Sequence, residues 1–207
     1  GATTTRVWAQ KADGTPVLEA SASVGPKTEP TLLESRMAAL RPPGELRILE
    51  DLSVGMTGAR DERVRMAADQ HMGALYPFSL NQKLAAITET SPWYSDAAAS
   101  PWGRAIIPLE MISVLAEYSS RQAEFPVKGP AVGLFADQEI RLIDGPLFVG
   151  EDYVLRREIV ALAESKRTES YWVRTRIFDS TGTRQVAEML LNHATLKHSY
   201  AGYADAG

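Results

Sequence analysis

Residues 87–121 read ITETSPWYSDAAASPWGRAIIPLEMISVLAEYSSR, a polar turn running through Ser-Pro-Trp-Tyr and Pro-Trp-Gly into the most apolar helical pattern of the chain. Gly103 closes the loop, and Pro108 fits a helix only in its first turn, where the missing N–H has no bond to lose. Met111, Ile112, Leu115 and Tyr118 follow at helical spacing, and Ile106, Ile107, Leu109 and Val114 widen the stripe around most of the circumference. A helix apolar nearly all round is a buried one, with Glu110, Glu117 and Arg121 expected to face away from the core. The two glutamates interrupt the pattern well short of the roughly 20 apolar residues that a membrane span requires.

Almost everything after this helix reads as strand. In residues 136–143, Gln138, Ile140 and Leu142 alternate with Asp137, Glu139 and Arg141; residues 153–162 are rich in β-formers, and Asp144-Gly145-Pro146 turns the chain between them. Tyr171, Val173, Thr175 and Ile177 share a face opposite Trp172, Arg174 and Arg176, and residues 186–196 carry apolar side chains on both faces, as a central strand does. One helix presented to one long antiparallel sheet predicts an α+β layer arrangement.

Upstream, residues 5–24 predict a hairpin turning at Asp13-Gly14, and the same design recurs at 171–195. With Gly14 set on Gly182 and one extra turn residue, Val17 and Glu19 fall on Val186 and Glu188. Residues 1–25 thus read either as an ordinary hairpin or as the end of a preceding copy of the same domain. Residues 26–45 are a linker with one short amphipathic helix carrying Leu32, Leu33, Met37 and Leu40, and Arg41-Pro42-Pro43-Gly44 ends it. The domain is expected over 46–198, with a first strand within Leu46–Met56, strand character at Val64–Met66 and a short helix from Ser79 to Ile87. Residues 199–207 read as a loose tail.

A chain of 207 residues with formal charge −4 suits one sizeable core and argues against broad binding to nucleic-acid phosphates. Zero cysteines exclude disulfides, thiolate metal ligands and thiol nucleophiles. No basic-then-apolar leader opens the sequence, so a cytoplasmic protein is expected, without membrane or nucleic-acid partners. No metal-ligand spacing, P-loop, dinucleotide fingerprint or Gly-x-Ser-x-Gly occurs. His193 on a strand reads as a core histidine, and Ser113 and Ser119 as helix serines bonded back to carbonyls.

Residues 46–196 resemble the MaoC-like hydratase/dehydratase group of the hot-dog fold. Ser91-Pro92-Trp93-Tyr94 stands for that group's Asn-Pro-apolar-His, Pro101-Trp102-Gly103-Arg104 for its Pro-Phe-Gly-Arg, and the turn Asp144–Gly150 for its Arg-Pro-Leu-x-x-Gly. The resemblance implies an acyl thioester ligand on coenzyme A or a carrier protein, no other cofactor, and a homodimer or a heteromer with another hot-dog subunit. It places Glu89 and Tyr94 at the catalytic Asp and His positions, and Ser91, Trp93, Trp102, Gly103, Pro108 and Leu109 around the substrate. Tyrosine, with a pKa near 10, is a poor base at neutral pH. Pro108 has no N–H to polarise a carbonyl, and Leu109 replaces a glycine.

Three readings of Glu89 and Tyr94 follow: loop filling, binding of a carbonyl by Tyr94, or altered catalysis with Glu89 as base. The function classes are accordingly a hydratase/dehydratase relative that is degenerate or partner-dependent, a non-catalytic acyl-binding subunit, or a thioesterase using Glu110. Arg156-Arg157 and Lys166-Arg167 are candidate contacts for coenzyme A phosphates.

Overall fold

The computed structural model describes residues 2–206, the last three by backbone alone, and divides into two compact units, Gly1–Arg41 and Pro42–Gly207. The first holds a two-stranded hairpin, β1 (Thr3–Gln10) and β2 (Pro16–Val24), and the helix α1 (Leu32–Ala38). Thr31 and Glu34 close α1 with a reciprocal capping box.

The second unit is built on a five-stranded antiparallel sheet in the order β3-β5-β6-β7-β4, from β3 (Glu62–Arg65), β4 (Gly133–Leu142), β5 (Asp152–Glu164), β6 (Thr168–Phe178) and β7 (Gln185–Leu196). Its helices are α2 (Leu80–Leu84), capped by Ser79 and Gln82, and α3 (Leu109–Glu117). Met111, Ile112 and Leu115 of α3 lie in one core with Leu155, Ile177, Ala187, Met189 and Leu191 of the sheet. Each of the Leu, Ile and Met side chains among them, fully buried, contributes about 1.5–3 kcal/mol. The α+β arrangement expected from the sequence is the one observed.

Five local expectations need correction. Leu46–Met56 forms turns, not a strand, and the first strand of the sheet is β3. The reason is Glu169, a fully buried carboxylate on β6 that accepts the backbone N–H groups of Arg47, Ile48 and Leu49 at 2.9, 3.0 and 2.9 Å. Those donors are spent on a side chain, so no ladder forms, and Ile48, Leu49 and Leu52 instead build a second core with Ile159. The end of the chain is likewise not loose where it is described. It makes 3-10 turns at Lys197–Ser199 and Ala201–Ala206, Tyr200 and Tyr203 pack on the second core, and the Tyr203 hydroxyl donates to Glu169.

The third correction concerns Pro108, which is the N-cap of α3, extended at φ −55° and ψ 143°, rather than a residue of its first turn. The fourth is Glu117, expected to face away but only 2 % exposed, because a buried arginine meets it from the sheet. Ser113 does bond back to a helix carbonyl, that of Glu110 at 2.8 Å, whereas Ser119, the fifth, donates to Glu62 at 2.5 Å.

Candidate functional site

The loop before α3 is fixed to the start of the helix by backbone bonds. Ile106 N–H donates to the Trp93 carbonyl at 2.9 Å, Ile107 N–H to Leu147 at 2.8 Å, and Val149 N–H to Ala105 at 2.9 Å. Pro92–Tyr94 is a single 3-10 turn entered from Ser91, whose side chain makes no cap bond. Ser100 to Gly103 is a tight turn closed by a 2.9 Å bond, and Gly103 adopts φ +65°, a conformation that disfavours any residue with a Cβ.

Within this framework two pairs of the predicted residues touch, Glu89 with Tyr94 and Trp93 with Trp102. The Tyr94 hydroxyl donates to Glu89 Oε2 at 2.7 Å, and desolvation, followed by the bond to Glu89, pushes Tyr94 up to about 12. Tyr94 is therefore a neutral donor across the physiological range. Trp93 and Trp102 meet edge to face at 5.6 Å, and both remain exposed, as does Leu109 at the start of α3, which is 57 % exposed. Met111 N–H bonds to the Pro108 carbonyl at 2.9 Å. The N–H groups of Leu109 and Glu110, earlier in the turn, have no intrahelical acceptor, and the helix dipole adds partial positive charge there. The arrangement can accept a carbonyl oxygen at the helix start and lay an apolar chain against two indoles. Pro108 itself is buried and contributes shape, not a donor.

The remaining candidates fare differently. Glu110 is exposed and paired with Lys83 at 2.6 Å. Arg156 forms a two-pronged pair with Asp61, its Nε 3.1 Å from both carboxylate oxygens and its Nη2 2.9 Å from Oδ2. Lys166 and Arg167 stay exposed in the β5–β6 turn. Arg157, a candidate phosphate contact, is instead buried and gives its donors to Glu62, Glu117, Thr175 and the Ala116 carbonyl.

Arg157 belongs to a cluster at the other end of α3 that sequence reasoning missed. Its Nε and Nη2 grip Glu62 at 2.7 and 3.0 Å, and its Nη1 reaches Glu117 at 2.7 Å and Thr175 at 3.1 Å, while the Ala116 carbonyl accepts from Nη2. One guanidinium faces two carboxylates, so burial outweighs Arg157 and raises Glu117 above the usual carboxylate range. His193 Nε2 lies 3.7 Å from Glu117 and its ring stacks on Tyr171 at 4.8 Å; burial, then the charge of Arg157, lowers it to about 4, so it is neutral. A cleft of about 280 Å³ opens beside the cluster, walled by Phe125, Val127, Tyr171 and His193. The one sequence signal was a glutamate set among the apolar residues of α3.

No protein-family model matches the chain, and no curated protein matches it in sequence. Solved structures do. The HadBC (3R-hydroxyacyl-ACP dehydratase) complex of Mycobacterium tuberculosis superposes with TM-score 0.54 at 17 % identity, covering 68 % of this chain and 96 % of that one. An (R)-hydratase of A. caviae involved in PHA biosynthesis gives 0.50 at 21 %, covering 70 % and 97 %. A MaoC-like dehydratase gives 0.52 at 17 %, covering 69 % of this chain and 42 % of that larger one. The chain therefore has the hot-dog fold that these proteins share. Among the described residues, no helix is long and apolar enough to cross a membrane.

Proposed function

We propose that this chain is an acyl-thioester-binding hot-dog subunit of the hydratase/dehydratase type, which shapes the acyl site while a second hot-dog subunit supplies the acid–base pair. The observation that carries this reading is Tyr94, a neutral hydroxyl held on Glu89 where the hydratase pattern has a histidine. A group that ionises only near 12 cannot take a proton from water at neutral pH. Its single O–H is given to Glu89, so the donors left for a ligand carbonyl are the N–H groups at the start of α3. Trp93, Trp102 and Leu109 offer the acyl chain an apolar wall that is open in the single subunit.

The edge strand β4 supports the expectation of a partner. It is ten residues long, ends the sheet, and with Ile143 beyond it exposes Leu134, Phe135 and Leu142. Long apolar edges are covered in native assemblies because they otherwise recruit other strands. The HadBC complex named among the similar structures is itself built from more than one chain type, in keeping with a heteromeric arrangement.

A second reading, autonomous hydration with Glu89 as base and Tyr94 as donor, draws on the 2.7 Å contact between them. Crotonyl-CoA separates the two. Calorimetry should show binding to the purified chain, and loss of the enoyl absorbance should be absent. Turnover that falls by orders of magnitude in both Glu89→Gln and Tyr94→Phe would assign the second reading instead, and no binding at all would remove both.

A further inference from the structure

The hairpin β1–β2 and the hairpin β6–β7 share more than their turn glycines. In β1–β2 the register runs Arg6↔Ser21, Val7↔Ala20, Trp8↔Glu19, Ala9↔Leu18 and then jumps to Gln10↔Pro16, leaving Val17 out of the ladder. In β6–β7 it runs Arg174↔Leu190, Thr175↔Met189, Arg176↔Glu188, Ile177↔Ala187 and jumps to Phe178↔Gln185, leaving out Val186. The irregularity therefore falls at the same step in both.

The turns are closed alike. Lys11 N–H donates to Thr15 and Gly14 N–H to Lys11, both at 2.9 Å; Asp179 N–H donates to Arg184 and Gly182 N–H to Asp179, again both at 2.9 Å. Gly14 stands at φ +83° and Gly182 at +73°. The second turn has one residue more, inserted without changing that pattern. Finally, one diagonal ion pair occupies the same place in each: Arg6 with Glu19 at 2.8 Å, and Arg174 with Glu188 at 3.5 Å. The turn and its positive-φ glycine are one motif, but the irregularity further along the ladder and the cross-strand charge pair are separate from it. Their coincidence is not explained by two hairpins having similar length.

The face and edges of β6–β7 show what the hairpin design is for. Ile177, Ala187, Met189 and Leu191 face α3 in the core, β5 pairs along one edge and β4 along the other. The corresponding residues of β1–β2 on the same face are Ala9, Leu18, Ala20 and Ala22, with Val7 and Thr5 between them. Here Val7 and Leu18 are 41 % and 52 % exposed, and the two strands form a sheet of their own among the described residues. A two-stranded ribbon alone is marginally stable in water. We propose that β1–β2 is the closing hairpin of a further hot-dog unit, whose central helix and flanking strands are supplied by polypeptide upstream of it. The order of the fold sets the direction: in the unit Pro42–Gly207, β3, α3, β4 and β5 all precede β6–β7. This stands independently of whether the chain binds an acyl thioester.

Hydrogen exchange on the polypeptide as the cell makes it tests the proposal. Amides of β1 and β2 should exchange within about tenfold of those of β6 and β7, unchanged when the protein is diluted. Ala20→Asp, which puts a charge on the apolar face, should abolish protection in β1–β2 and leave β6–β7 protected. Exchange of wild-type β1–β2 within about tenfold of an unstructured peptide would overturn it. Protection that disappears on dilution would also overturn it, by assigning the face to a second copy of the chain.

Discussion

The two ends of α3 solve opposite problems. At its C-terminal end a cluster of charges is buried and answered: Arg157 takes Glu62, Glu117, Thr175 and a carbonyl with its own donors, and His193 is kept neutral. At its N-terminal end the donors of Leu109 and Glu110 are left open, the cap is a proline, and two tryptophans and a leucine face outward. Closed polar groups fix a fold, whereas open ones beside exposed apolar surface are available to a ligand. On the function proposed above, the contrast sets a fold-fixing end against a ligand-facing one along a helix of nine residues.

Three experiments press on that contrast, from the largest expected effect down. Arg157→Met strands two buried carboxylates and should lower unfolding stability by about 3–5 kcal/mol, read from denaturant midpoints. A loss below about 1 kcal/mol would mean that the closed end does not fix the fold.

The next is a pH dependence. His193 titrates near 4 in the folded chain against its ordinary 6.5, so the unfolded state takes up a proton that the folded state excludes. That contribution to stability is complete above 6.5 and is lost as pH falls through the folded value near 4. The loss should amount to about 3 kcal/mol. His193→Gln should flatten this part of the profile, and an unaltered profile would show that another group carries it.

The smallest concerns the open end. Leu109→Pro removes one N–H at a position where helices accept proline, and Pro108 already has the extended conformation that the residue before a proline requires. Stability should hold, while crotonyl-CoA binding weakens about three- to tenfold, the equivalent of one hydrogen bond. Unchanged affinity would place the carbonyl elsewhere.

The same contrast separates what was legible in the sequence from what was not. The strands β5 to β7, the α3 stripe, the capped helix at Ser79 and the Asp13-Gly14 turn all follow from residues adjacent in sequence. Glu89 and Tyr94, five residues apart, are paired by the family resemblance, whose motif is itself local in sequence. The closed end joins Glu117 to Arg157 across 40 positions and Arg157 to Glu62 across 95. A glutamate that will be buried looks, on its own helix, like one that faces solvent. Leu46–Met56 was misread for the same reason, since the carboxylate that diverts its backbone lies about 120 residues downstream. Local pattern gives the elements; partners at long separation decide which exceptions to it are tolerated.

Glu169 also joins the two ends of the unit. One carboxylate on β6 gathers the amides of residues 47–49 and the hydroxyl of Tyr203, so the first and last stretches are tied through a single side chain. Removing that side chain would leave three backbone donors without their acceptor and loosen both stretches at once. The sheet is thus fastened at its rim by a clasp that no strand pairing supplies.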